Sequence, residues 1–249
     1  MLFEYLSRNR LRVLMYHSIS SCGDDRLATT PEMFANQMRF LRDGGFQVLS
    51  LEESCKRLSS GGDLSRAIVL TFDDGYGDFL TEAAPVLEEY RFPATLFVVT
   101  KMKEAEWRNN GNRRPLLSWE VISQLRTRGF SIGSHSVTHA DLPSLQESEL
   151  ERELTDSRAA IAQLGETFVP FAYPGGRFTP RERDAVEGAG YDCAVIVGGR
   201  WGNGPETDRF LIKREPMLAS DSFEWFRKRV NGYYEAHFLW ARARGIDTR

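Results

Sequence analysis

The chain has 249 residues, 41% hydrophobic and 27% charged, long enough for one large α/β domain or two small ones, with one compact domain expected, and too evenly mixed to be disordered. Its 32 basic against 35 acidic side chains leave a formal charge of −3, so nucleic acid is not an expected partner. Cys22, Cys55 and Cys193 lie far apart in sequence and form no C-x-x-C pair, so neither a disulfide framework nor a thiolate zinc site is expected, and a reducing setting fits.

At the amino terminus, Glu4 and the arginines at 8, 10 and 12 interrupt any signal-peptide pattern, so a cytoplasmic location is expected. No run reaches the ~18 consecutive apolar residues of a transmembrane segment. Short apolar runs then alternate with amphipathic stretches. Strands are expected at Arg12–Tyr16, Phe46–Leu49, Ala67–Phe72, Ala94–Thr100, Phe130–Gly133, Phe168–Tyr173, Cys193–Val197 and Phe210–Ile212. Between them, Ser50 with Glu53, Ser144 with Glu147, and Thr179-Pro180 with Glu182 read as capping boxes that start helices. Gly44-Gly45, Gly61-Gly62, Gly129 and Gly165 stand where helices stop. This β-α rhythm implies a mainly parallel sheet, either an open doubly wound sheet or a closed barrel. Met102–Leu117 reads as an exposed insertion and Gly198–Thr207 as a mobile loop; about 221–244 reads as a packing helix behind a single domain spanning 1–249, with its core at about 12–218.

Polar residues gather at the carboxyl ends of these strands. The first strand ends in Tyr16-His17, a candidate general acid because imidazole can carry a proton near neutrality. The strand AIVLTF runs into Asp73-Asp74-Gly75, a carboxylate pair at a sharp turn, with Tyr76 and Asp78 just beyond as candidates for the substrate entrance. A later strand is followed by Ser134-His135-Ser136-Val137-Thr138-His139, which sets two imidazoles one turn apart. Two histidines and one carboxylate make three protein ligands with open positions, the pattern of a catalytic zinc site. One aspartate would bind and its neighbour act as base on a water acidified by the ion, which suits hydrolysis of an amide or ester. Phe171-Ala172-Tyr173-Pro174-Gly175-Gly176 ends another strand, and its turn is expected to leave backbone N–H groups free for an oxyanion. Among Trp107, Trp119, Trp201 and Trp225, Trp201 is the best candidate to stack on a sugar ring, whereas Trp119 is expected to pack at a helix start.

Together, T-F-D-D-G at Thr71–Gly75, H-S-V-T-H at His135–His139 and F-A-Y-P-G-G at Phe171–Gly176 resemble the ordered motifs of the polysaccharide deacetylase superfamily, the family-four carbohydrate esterases with a NodB-homology domain. The resemblance implies a distorted (β/α)7 barrel of the α/β class and metal-dependent removal of acetyl groups from sugars. It makes Asp73 the base and Asp74, His135 and His139 the ligands of a divalent metal, Zn2+ first, with Co2+, Ni2+ or Mn2+ as alternatives. Ala172 stands where the family usually has an arginine, and the late leucine-x-histidine motif is missing. The permuted branch that includes poly-N-acetylglucosamine deacetylases supplies its histidine from an N-terminal Y-H segment, matching Tyr16-His17, and there Arg214 takes the arginine's orienting job. The expected substrate is a carbohydrate, as a nucleotide-linked or lipid-linked intermediate. Deformylase or cyclic amide hydrolase activity, a non-haem Fe(II) oxygenase built on the same ligand set, and a degenerate glycan-binding protein are the alternatives.

Overall fold

The computed structural model describes residues 9–21, 25–101, 108–109, 112–113, 115–198 and 202–232. Seven strands close a parallel barrel in sequence order: β1 (Arg12–Tyr16), β2 (Ala67–Phe72), β3 (Thr95–Val98), β4 (Ser131–Ser134), β5 (Pro170–Ala172), β6 (Cys193–Val197) and β7 (Ile212–Pro216), which returns to β1. Register is firm between β1 and β2, from Arg12↔Ile68 to Tyr16↔Phe72. It thins elsewhere: β4 meets β5 only at Phe171↔Ser134, and β7 meets β1 at Leu14↔Glu215 and Met15↔Pro216, which distorts the ring. The expected strand Phe46–Leu49 shrinks to Gln47–Val48 and pairs with the start of β2 outside the closed ring, where β3 leaves that edge uncovered.

Helices α1 (Pro31–Asp43), α2 (Leu51–Ser60), α3 (Ala84–Tyr90), α4 (Trp119–Thr127), α5 (Glu147–Gln163), α6 (Pro180–Gly188) and α7 (Phe223–Val230) fill the connections and the tail. Ser50 Oγ accepts from Glu53 N at 3.1 Å, and Thr179 and Glu182 form the reciprocal box expected of them. The start of α5 corrects a second expectation: Gln146 and Glu149 make the capping box, because Leu142–Ser144 is already a short 3-10 turn.

Strand alternation sorts the apolar side chains into two clusters. Val13, Val69, Phe97, Val195 and Ile212 fill the barrel with Leu51 and Leu58 of α2, so α2 plugs its amino-terminal mouth. Leu14, Ile68, Leu70, Phe72 and Ile132 face outward under α1, α3, α4 and α5. The inner cluster is dense enough that a Cβ on Gly133 would lie 2.5 Å from the Phe97 ring. Cys193 of β6 and Cys55 of α2 also meet at this plug, their thiols hydrogen-bonded, although 137 intervening residues hide this in the sequence. Both are free thiols. Among the described residues no helix is long and apolar enough to cross a membrane. Of the expected insertion, the short antiparallel pair Arg108–Asn109 with Asn112–Arg113 is described, and Leu116 and Leu117 bind back to the Asp74 turn. The expected carboxyl-terminal helix is described over Phe223–Val230 and passes outside the described residues after 232.

Candidate active site

With plug and helix termini fixed, the carboxyl ends of five strands converge on one cavity of about 160 Å³. Met15, His17, Leu27, Asp73, Asp74, His135, His139, Tyr173, Gly175, Gly176 and Val197 line it. The main chain reaches this arrangement through uncommon conformations. Asp74, Ser136 and His139 are left-handed, with φ of 71°, 66° and 60°, and Gly75 follows Asp74 at 76°. Such backbone costs energy in side-chain-bearing residues, and here it turns the side chains of Asp74 and His139 back over the barrel mouth. Glu153 of α5 fixes the second turn by accepting from Val137 N at 2.8 Å, Thr138 N at 3.0 Å and Thr138 Oγ1 at 2.7 Å. Ser136 Oγ accepts from His139 N at 2.9 Å.

Asp74, His135 and His139 present one donor atom each within 4.8 Å of one another. Asp74 Oδ1 lies 3.6 Å from His135 Nε2 and 3.8 Å from His139 Nε2, and this buried oxygen has no hydrogen-bond partner. His135 Nδ1 meets the Ala172 carbonyl at 2.8 Å, so Nδ1 carries the proton and Nε2 offers a lone pair. Zinc bonds of about 2.1 Å put tetrahedral donors about 3.4 Å apart, close to these separations. The two imidazoles and the orphaned carboxylate oxygen therefore fit a divalent ion of the zinc type. Burial, then the neighbouring Asp73 charge, push the Asp74 carboxyl up to about 8. Burial, then His135, push His139 down to about 3, and burial lowers His135 as well. Without a cation the site thus keeps both imidazoles neutral, as metal ligation requires, and disfavours only the Asp74 charge, which a bound cation would restore.

Asp73 is held differently. Arg214, fully buried in β7, grips it with Nη1 on Oδ1 at 2.6 Å and Nη2 on Oδ2 at 2.7 Å. Burial alone would raise the Asp73 carboxyl, but Arg214, His135 and His17 outweigh it and hold it at about 2. Arg214 Nη1 also reaches Thr71 Oγ1 at 3.2 Å, and the guanidinium lies over the Phe97 ring. The strand expected to end at Ile212 instead begins there, which is what carries Arg214 into the barrel. Ala172 is buried in the inner cluster, and its carbonyl rather than its side chain serves the site.

His17 ends β1 beside this pair, with no partner on Nδ1; burial lowers its pKa, Asp73 opposes this, Arg214 adds to it, and Asp25 opposes it. Tyr173 lines the cavity, and its buried hydroxyl lacks a partner. Four expectations change. Pro174 is buried in the turn and does not line the cavity. Gly176 N–H is spent on the Tyr173 carbonyl at 2.9 Å and Tyr173 N–H reaches Val195 O at 3.3 Å, so the turn leaves fewer free donors than expected. Tyr76 is 1% exposed and hydrogen-bonds Asp74, which makes it a support for that carboxylate and not an entrance residue. Asp78 likewise binds Ser18 Oγ and Ile19 N, tying down the loop after β1. Trp201 lies outside the described residues. Asp25 and Glu153 escaped the sequence reading because nothing local distinguishes them from other loop and helix-surface acids.

The polysaccharide deacetylase family model matches residues 61–194, more than half of the chain. This chain belongs to the polysaccharide deacetylase family. The Bacillus subtilis protein YxkH, itself assigned to this family by name, is 31% identical over 76% of the chain, and the match spans 64% of that relative's length. The poly-beta-1,6-N-acetyl-D-glucosamine N-deacetylase of Staphylococcus aureus is 24% identical over 91% of this chain and 80% of its own. The structure of the Streptococcus pyogenes deacetylase PplD in complex with acetate superposes with a TM-score of 0.78 at 26% identity, covering 89% of this chain and 98% of that one. The matched range includes Asp73, Asp74, His135, His139 and Tyr173 of the cavity at the strand ends.

Proposed function

We propose that this family member is a metal-dependent N-deacetylase that hydrolyses the acetyl amide of an N-acetylated sugar. The observation that carries the reading is the division of the carboxylate pair: Asp73 is gripped by Arg214 while Asp74 turns an unpartnered oxygen towards His135 and His139. A divalent ion held by Asp74, His135 and His139 would supply Lewis acidity to water and to the amide carbonyl. Asp73 stays ionised throughout the working pH range and accepts the proton of the attacking water. Held at about 2, it is a weak base alone, and it suits a water whose own acidity has been raised. Arg214 fixes the direction of that carboxylate, which converts proton transfer into an oriented step. His17 gives a proton to the leaving nitrogen; the lowered pKa makes its imidazolium scarce but strongly acidic. The Tyr173 hydroxyl is free to donate to a substrate oxygen.

The names of the Staphylococcus aureus relative and of the acetate-bound Streptococcus pyogenes structure support the acetyl group and the N-acetylated glycan. Zinc-loaded protein should release acetate from an N-acetylglucosamine oligomer, and Asp73→Asn should abolish release while the metal content stays at the wild-type level. Normal turnover by Asp73→Asn would reject the assigned base, and absence of acetate from every acetylated sugar would reject the reading.

A further inference from the structure

Two large apolar side chains are notably exposed among the described residues, Trp119 at 37% and Val197 at 40%. Singly, exposed apolar residues mean little, but both of these border Asp74. Val197 lines the active-site cavity, and Trp119 lines an adjoining one of about 70 Å³ that also includes Asp74, Gly75, Val98, Leu116 and Ser118. The ring order puts them on opposite sides of the barrel mouth: Trp119 stands over the ends of β2 and β3, and Val197 ends β6.

Helix packing does not require this tryptophan. Ile122 and Leu125 continue its stripe along α4 and bury against the outer cluster, while Trp119, in the first turn after the Ser118 cap, overhangs the cavity. The expectation that Trp119 packs is therefore corrected: the helix starts on the catalytic rim, one turn beyond the core. An indole on a wet rim offers a flat apolar face to the C–H face of a sugar ring while the ring's hydroxyls stay hydrated.

We propose that Trp119 is a stacking platform for a sugar ring next to the one being deacetylated, so that the bound glycan crosses Asp74 between Val197 and Trp119. This rests on the deacetylase reading for the identity of the ligand. It makes an oligomeric substrate the better one, since a single sugar at the metal centre leaves the platform bare.

Calorimetric titration of the zinc-loaded protein with a short glucosamine oligomer and with glucosamine reads the platform without turnover, because neither carries an acetyl group. The oligomer should bind at least about 3- to 10-fold more tightly than the monomer. Trp119→Ala should remove that advantage and Trp119→Tyr should keep most of it, with melting temperature showing that both variants fold. An oligomer that gains nothing over the monomer, or an advantage that survives Trp119→Ala, overturns the platform. Failure of the deacetylase reading would show separately, as absence of acetate release from acetylated glycans by the wild-type protein.

Discussion

His17 and Asp73 share one cavity, yet a change of leaving group separates their roles. An amide nitrogen must be protonated before it departs, whereas the phenolate of an aryl acetate departs unaided. His17→Ala should therefore lower turnover of an N-acetylated sugar about 10²- to 10⁴-fold and turnover of an aryl acetate far less. Equal losses on both substrates, read from steady-state kinetics, would reject the acid role. At this scale the sequence showed most of the site. Asp73 and Asp74 follow the run of β2 directly and His135 follows β4, so strand ends bring these three to one rim, whereas His139 reaches it through the turn after His135. Arg214 was visible only through family resemblance, because it sits inside a strand whose boundary the apolar pattern misjudged. Tyr76 and Asp25 acquire their roles through burial, which no local pattern records.

At the scale of elements, α5 holds the H-S-V-T-H turn in shape. Ser136 and His139 sit in left-handed conformations costing about 1–3 kcal/mol each, and the hydrogen bonds accepted by Glu153 help offset that cost. Glu153→Ala removes both carboxylate oxygens, and with them all three hydrogen bonds, and frees the turn that aims His139. The expected result is a loss of zinc affinity of about 10- to 100-fold, measured by competition with a chromophoric chelator, while the helical circular dichroism signal persists. Wild-type affinity in that variant would show that the turn holds itself. Glu153 was illegible because a glutamate inside a charged amphipathic helix looks like any solvated one. Trp119 was misread for a related reason: its place after Ser118 marked a helix start but not the height at which the apolar stripe of α4 leaves the core.

Across the whole molecule, alternating apolar runs fixed a parallel α/β architecture, but closure was undecidable from periodicity, since it depends on β7 reaching β1 through two residue pairs. The contact of Cys55 with Cys193 was hidden for the same reason, being a product of the plug helix and the closed ring. Closure also buries two carboxylates and His135 beside the half-buried His17 and His139, which links stability to pH. Asp73, held at about 2 against about 4 when unfolded, stabilises above about pH 4 and loses that contribution as pH falls towards 2. The lowered histidines act the same way below their unfolded value of about 6.5. Asp74 has the opposite sign: raised to about 8, it keeps its proton in the folded metal-free protein, so stability falls as pH rises towards 8. Between about pH 6.5 and 8 the other groups of this site keep one charge state in the folded chain, so Asp74 alone titrates there. Zinc held by Asp74 would ionise it and remove its slope, so the stability gap between zinc-loaded and chelator-treated protein should widen by up to about 1.4 kcal/mol per pH unit across that window, then level off. Urea unfolding with zinc or chelator at several pH values measures the gap, and a gap that stays constant from about pH 6.5 to 8 would show that Asp74 is not the proton that the metal displaces.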